Sequence, residues 1–137
     1  LWGALEIAQA SDFVSGLENG LDHMLTRGGG NLSGGQRQRL TVARAVVRRP
    51  EILILDDSAS ALDYLTEKAL RQEIFDKLGG SAVVIISQRA ASVMECDRIL
   101  VLDDGRCWLG SHSELLRDCS IYAEIYASQT GTGGASA

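Results

Sequence analysis

Ile52-Leu53-Ile54-Leu55-Asp56-Asp57, continued by Ser58-Ala59-Ser60-Ala61-Leu62-Asp63, is the stretch on which the reading of the fold turns. An unbroken apolar run of this length, bounded by acids and small residues, predicts a short strand buried on both faces, as in a parallel sheet. Upstream, Ser33 to Arg48 reads as a long helix that must stop before Pro50. Downstream, Asp63 to Lys77 reads as a second helix, with Leu65, Ala69 and Ile74 as inward candidates, and Gly79-Gly80 breaks it. Ala82 to Ser87 predicts another buried strand, β-branched from Val83 to Ile86. Strands separated by helices indicate an α/β fold with a largely parallel sheet. Ligands in such sheets sit beyond the carboxyl ends of strands, which is where Asp56-Asp57 and Ser87-Gln88 fall.

Further out, Trp2 to Ala10 reads as an amphipathic helix with Leu5, Ile7 and Ala8 on its apolar side, and Gly16 to Gly30 as loop, with Gly28-Gly29-Gly30 a flexible approach to the helix at Ser33. Arg89 to Met94 is a short helix or turn, and Ile99 to Leu102 a third strand. Asp104-Gly105 is a strong hairpin signal, so Arg106 to Leu109 returns as a fourth strand. Ser113 to Arg117 and Ile121 to Ser128 are helical, and residues 130–137 form a polar, small-residue tail expected to be disordered.

The 137 residues, 45% hydrophobic and 23% charged, suffice for one modest domain with its own core. A net charge of -5 argues against a nucleic-acid partner, which calls for a basic footprint. No apolar run approaches the roughly 20 residues of a membrane-spanning helix, so a membrane role must come through other segments or partners. The three cysteines, Cys96, Cys107 and Cys119, lack CxxC spacing. They fit a reducing compartment, as small apolar gap-fillers. The chain opens on Leu1, already in a helical pattern and without a recognisable targeting segment, and is expected to be a piece of a longer protein.

At the Leu32 to Gln36 junction, Ser33 stands before a helical run with Gln36 three residues on, the pattern of a capping box. Gly34 and Gly35 weaken a helix, so a cap alone leaves them unexplained. Bare backbone at a helix N-terminus, with free N–H groups and the positive dipole end, suits an anion such as phosphate.

Leu32-Ser33-Gly34-Gly35-Gln36 matches the signature sequence of the ATP-binding-cassette (ABC) ATPases without a departure, and Arg37-Gln38-Arg39-Leu40 and Ala43-Arg44-Ala45 continue the likeness. Ile52 to Asp56 resembles the family's Walker B strand, Ser60 to Asp63 its D-loop, and Ser87-Gln88-Arg89 the segment after its next strand. Asp97 to Arg106, Gly110-Ser111-His112 and Glu114-Leu115-Leu116 resemble the C-terminal portion of exporter ATPases. The likeness runs from about Trp2 to Gln129. It implies a P-loop NTPase-like ABC ATPase core, represented by its C-terminal part (residues 51–129), and part of the helical subdomain with the signature helix (residues 1–50). It also implies ATP and Mg²⁺ as cofactors, a head-to-tail dimer with a second nucleotide-binding domain, a transmembrane domain as partner, and a place at the cytoplasmic face of a membrane. Ser33, Gly34, Gly35 and Gln36 would contact the γ-phosphate of ATP held by the facing subunit. Ser60 and Asp63 would link the two sites, although Asp63 equally fits an N-cap. Asp56 would hold Mg²⁺ through water.

Two positions depart from the pattern. Asp57 stands where the family places the Glu that handles the attacking water, and its side chain is about 1.5 Å shorter. Gln88 stands where most members carry His, and a neutral amide cannot become positively charged. Both changes weaken the same half-site, which resembles the poorly hydrolysing site of heterodimeric exporters, while the intact signature is lent to the partner. No GxxxxGK[ST] loop occurs in the sequence, so the chain alone is expected to bind ATP poorly and to be inactive. Two other readings stay open: a C-terminal lobe of a chromosome-maintenance ATPase, and a noncatalytic docking module. Arg37-Gln38-Arg39, Asp104-Gly105-Arg106 and Gly110-Ser111-His112 resemble the transporters. His112 is expected to cap or pack. The arginines at 37, 39, 44 and 48 are expected to form a solvated face or pair with acids.

Overall fold

A computed structural model describes residues 1–131; the remainder of the expected tail, 132–137, lies outside the described residues. The chain divides into two units, residues 1–86 and 87–137.

The first unit runs α1 (Trp2–Ile7), α2 (Ser11–Ser15), α3 (Gly34–Val46), β1 (Ile52–Asp56), α4 (Tyr64–Lys77) and β2 (Ala82–Ile86). β1 and β2 pair in parallel, in a register that sets Ile52 opposite Ala82 and Asp56 opposite Ile86. Two contacts fix the start of this ladder: Ala82 N–H donates to the Glu51 carbonyl at 2.8 Å and Ser81 Oγ to that of Pro50 at 2.6 Å. Leu5, Ala8, Val14, Val42, Val46, Leu53, Leu55, Leu70 and Ile74 are among the residues of one shared core.

The strands are not buried on both faces. Leu53 and Leu55 point into the core, but Ile52 and Ile54 are 64% and 62% exposed, and β2 exposes Val84 and Ile86. The helices of this unit pack on one side of the two-stranded sheet, so an apolar run that reads as doubly buried becomes an alternating one. α4 departs from its expected face too: Leu65 is 75% exposed. Its inward side carries Leu70 and Ile74 together with Glu67 and Arg71, a buried ion pair at 2.8 Å.

The second unit contains α5 (Ala90–Val93), β3 (Ile99–Asp103), β4 (Arg106–Gly110), α6 (His112–Asp118) and α7 (Ser120–Thr130). β3 and β4 form an antiparallel hairpin, as Asp104-Gly105 predicts. Asp104 and Gly105 both have positive φ, 42° and 74°, as a type I′ turn requires. Ser111 and Glu114 make a capping box at the start of α6. Ile99, Val101, Leu115, Cys119 and Tyr122 form the core. His112 packs as expected: its Nδ1 lies 2.8 Å from Tyr122 Oη, and its ring meets Tyr122 and Tyr126 edge-on. Of the cysteines, Cys119 is buried, but Cys107 is exposed on the hairpin and fills no gap. α7 extends through Thr130 and ends on Gly131 at φ 71°, a left-handed helix cap.

Candidate functional site

The site begins at the N-terminus of α3. Ser33 Oγ accepts from the Gln36 N–H at 3.2 Å and Gln36 Oε1 accepts from the Ser33 N–H at 2.9 Å, so the capping box forms as the spacing predicts. Helix geometry gives the N–H groups of Gly34 and Gly35 no carbonyl within the helix. The two glycines differ. A Cβ at 34 would meet Ala61 Cβ at an ordinary 3.6 Å, whereas one at 35 would press on the Ala61 carbonyl oxygen at 3.1 Å and Leu62 at 3.3 Å. Gly35 therefore lets the helix approach the loop after β1, and Gly34 faces more open space.

The approach to α3 is a hydrogen-bonded loop. Asn31 Oδ1 accepts from the Thr26 N–H and hydroxyl, and Asn31 Nδ2 donates to the Met24 carbonyl. His23 Nδ1 sits 2.9 Å from the Glu18 carbonyl, which makes it the protonated nitrogen, and Nε2 then accepts from Asn31 Nδ2 at 3.2 Å. Gly28 and Gly29 adopt φ of 70° and 68°, a conformation glycine takes without penalty. Arg37 donates to the Leu32 carbonyl at 2.9 Å. Arg39 donates to the Gln9 carbonyl and stacks over Phe13 at 4.8 Å. These two arginines thus anchor loops to the helix and do not pair with acids.

At the end of β1, the side chains of Asp56 and Asp57 are exposed. Asp57 has φ 46°, a left-handed conformation that Asp tolerates better than most residues. Its N–H donates to the Ile86 carbonyl at 3.0 Å, and its carbonyl accepts from Ser60 N–H at 3.3 Å and Ser60 Oγ at 3.1 Å. Asp63 caps α4: Oδ1 accepts from Thr66 N–H at 3.0 Å and Oδ2 from Thr66 Oγ1 at 2.7 Å. Those bonds, the backbone one first, hold its carboxyl below the usual carboxylate range.

A group whose folded pKa is depressed stabilises the fold above its unfolded pKa and loses that contribution as pH falls through the folded value. Stability is therefore expected to fall below about pH 4. Asp63→Asn, which keeps one capping oxygen but not the charge, should lower neutral-pH stability slightly, bring it close to that of the native protein in acid, and so flatten part of that acid decline in urea midpoints. An undiminished acid slope in the variant would contradict this. Glu114 and Asp118, also held low by the Ser111 cap and by Arg117, supply the remainder.

One cleft of about 430 Å³ brings these pieces together, lined by Gly34, Gln38, Asp56, Asp57, Ser58 and Ala61, with Arg37 and Thr41 also contributed by α3. Sequence reading missed Gln38. Its Nε2 donates to Ser60 Oγ at 2.9 Å and its Oε1 accepts from Ala61 N–H at 2.9 Å. The signal was available: a long amide one and a half turns into a helix that opens on Ser-Gly-Gly. Gln88 belongs to the second unit, where its carbonyl accepts from Gln129 Nε2 at 2.8 Å.

Residues 6–60 match the family described as "ABC transporter". A solved structure of a bacterial Atm1-family ABC exporter with ATP bound superposes with a TM-score of 0.87 and 38% identity, over 93% of this chain and 23% of that one. The fold is the C-terminal part of an ABC ATPase core. An ATP-dependent lipid A-core flippase of Vibrio vulnificus (strain CMCP6) is 43% identical over 131 residues, 95% of this chain and 22% of the flippase. The uncharacterised ABC transporter ATP-binding protein YfiB of Bacillus subtilis (strain 168) is 45% identical over 132 residues, 96% of this chain and 23% of that protein. The chain thus spans about a fifth of the length of the curated relatives it matches.

On this ABC ATPase fold, Asp56 presents an exposed carboxylate at a strand end beside the N-terminus of α3. Among the described residues no cluster of three or more His, Cys, Asp or Glu could hold a metal by itself. Mg²⁺ takes one or two carboxylates and fills its remaining positions with water and phosphate oxygens, and Asp56 could supply one such carboxylate. ATP fits only in part. The N-terminus of α3 offers backbone N–H groups for a terminal phosphate, the carboxylates of Asp56 and Asp57 would need a cation between them and it, and the sequence holds no phosphate loop.

Proposed function

We propose that this chain is the C-terminal part of the ATP-binding domain of an ABC exporter subunit, and that the parent protein couples ATP binding and hydrolysis to transport across a membrane. In this reading residues 1–50 belong to the helical subdomain and 51–129 to the ATPase core. The domain works at the cytoplasmic face, joined to a transmembrane domain. No helix among the described residues is long and apolar enough to cross a membrane, so that part must lie elsewhere in the parent.

The observation that carries the reading is the open N-terminus of α3, capped by Ser33 and Gln36, opening on the same cleft as Asp56 and Asp57. Gly34 and Gly35 N–H groups, aided by the helix dipole, receive the γ-phosphate of ATP held by a partner domain in a head-to-tail dimer. Ser60 and Asp63 carry the loop that communicates between the two sites. In the chain's own half-site, Asp56 would hold Mg²⁺, which when bound would supply charge neutralisation at the phosphate oxygens. By their place in the sequence, Asp57 and Gln88 stand where the family carries the groups that orient the attacking water. A general base must come within about 2.6–3.2 Å of its proton donor, and Asp57 falls short by roughly one bond. This half-site therefore hydrolyses poorly, and the natural partner is a second, different nucleotide-binding domain.

The test is Mg-ATP turnover by the full-length parent subunit, alone and with a candidate partner, beside the double variant Asp57→Glu, Gln88→His. Negligible turnover alone that rises at least about tenfold with the partner or with the double change is expected. Glu at 57 must adopt the left-handed backbone at roughly 1 kcal/mol, so its folding is checked alongside. Brisk turnover by the unaltered subunit alone would overturn the degenerate half-site and make this a competent homodimer.

A further inference from the structure

We propose that Gln38 is a positioning residue for ATP hydrolysis, locking the loop after β1 to the helix that opens on Ser33. The inference rests on the function proposed above and adds a residue to it. Gln38 lies on α3, yet both ends of its amide are used by the facing loop: Nε2 donates to Ser60 Oγ at 2.9 Å, and more weakly to the Asp57 carbonyl at 3.4 Å, while Oε1 accepts from Ala61 N–H at 2.9 Å. The Ala61 N–H can only donate, which fixes the orientation of the amide. Ser60 Oγ passes the connection on by donating to the Asp57 carbonyl at 3.1 Å.

The side chains nearest to glutamine in size or chemistry do not meet both demands. Glu has the length and the acceptor but no donor, Lys and Arg have donors and no acceptor, and Asn is about 1.5 Å too short. The place where the connection ends matters. Asp57 holds a left-handed φ of 46°, and a non-glycine residue persists there only where its surroundings over-determine it. Its N–H is held by Ile86 and its carbonyl by Ser60 and Gln38. On the other side of the loop, the Ala61 carbonyl lies against Gly35, near enough that a Cβ there would stand 3.1 Å away. One amide thus sets the backbone that aims the Asp57 carboxylate and the loop against which the phosphate-facing glycines pack. Without it the cleft keeps its groups and loses their registration.

The experiment uses the full-length parent subunit assembled with its partner, carrying Gln38→Met, which keeps length and packing, or Gln38→Glu, which keeps only the acceptor. Hydrogen exchange is followed in peptides spanning residues 57–63, and Mg-ATP kinetics in the same samples. Gln38→Met is expected to speed exchange in that segment about tenfold and, because the loop it releases packs against the glycines that meet the partner's ATP, to lower kcat of the pair about tenfold or more with KM within about twofold. Gln38→Glu should fall between Met and the native residue. Unchanged exchange would overturn the connection itself. Faster exchange with unchanged kcat would overturn its role in hydrolysis while leaving the proposed function standing. An unaltered pair that does not turn over ATP would instead sink the proposed function, and the kinetic role of Gln38 with it.

Discussion

Gly34→Asp is expected to leave the fold intact and to lower Mg-ATP turnover of the assembled parent protein about a hundredfold or more. The two effects separate because of where residue 34 sits. A Cβ there meets nothing closer than Ala61 Cβ at 3.6 Å, and a carboxylate in the first turn of α3 interacts favourably with the helix dipole. The urea midpoint should therefore hold or rise slightly. The same carboxylate stands where an anion must approach the free N–H groups, in a cleft that already carries Asp56 and Asp57. Position 35 would give no such separation, because any side chain there also presses on the Ala61 carbonyl at 3.1 Å. Turnover within about twofold of the native protein, with the helix intact, would mean that these N–H groups do not receive phosphate.

The second large effect concerns stability alone. Arg71→Met is expected to destabilise the first unit by about 3 kcal/mol, because it removes the cation that lies 2.8 Å from a buried carboxylate. The Glu67 and Arg71 side chains are only 4% and 7% exposed and meet at 2.8 Å across one turn of α4. Replacing both, as Glu67→Leu with Arg71→Met, should cost no more than about 1 kcal/mol, since an apolar pair of similar volume escapes the desolvation that the ion pair had to overcome. Urea unfolding of the three proteins checks this. A single variant no worse than the double one would show that the pair carries no such penalty.

Legibility along the chain followed the range of the interactions. Ser33 with Gln36, Asp104-Gly105 at the hairpin and the stop before Pro50 could all be read directly, because caps, turns and helix breaks involve residues three or four apart. The hydrogen bonds of the glycine-rich loop are not legible in its composition, because Thr26, Asn31 and His23 bond across five to eight positions. The Ile52 to Leu55 run predicted burial on both faces, and in this chain, which spans about a fifth of its relatives' length, one face is covered. Leu65 looked inward and is exposed, while the charged Glu67 and Arg71 are buried. Charge alone marks a residue as external until a partner at the right spacing removes the cost.

The sequence by itself determined the α/β class, the helix at Ser33, the strand ending in Asp56 and the identities of Asp57 and Gln88, because these rest on residue type and short spacing. Only the tertiary structure decided that Gln38 reaches Ser60 and Ala61, that Gly35 serves packing while Gly34 stays open, and that Asp57 takes a left-handed backbone. Those depend on how α3 docks beside the end of β1, a contact between segments some twenty residues apart. Local propensity carries no record of such a contact, since it is chosen by the packing of the shared core.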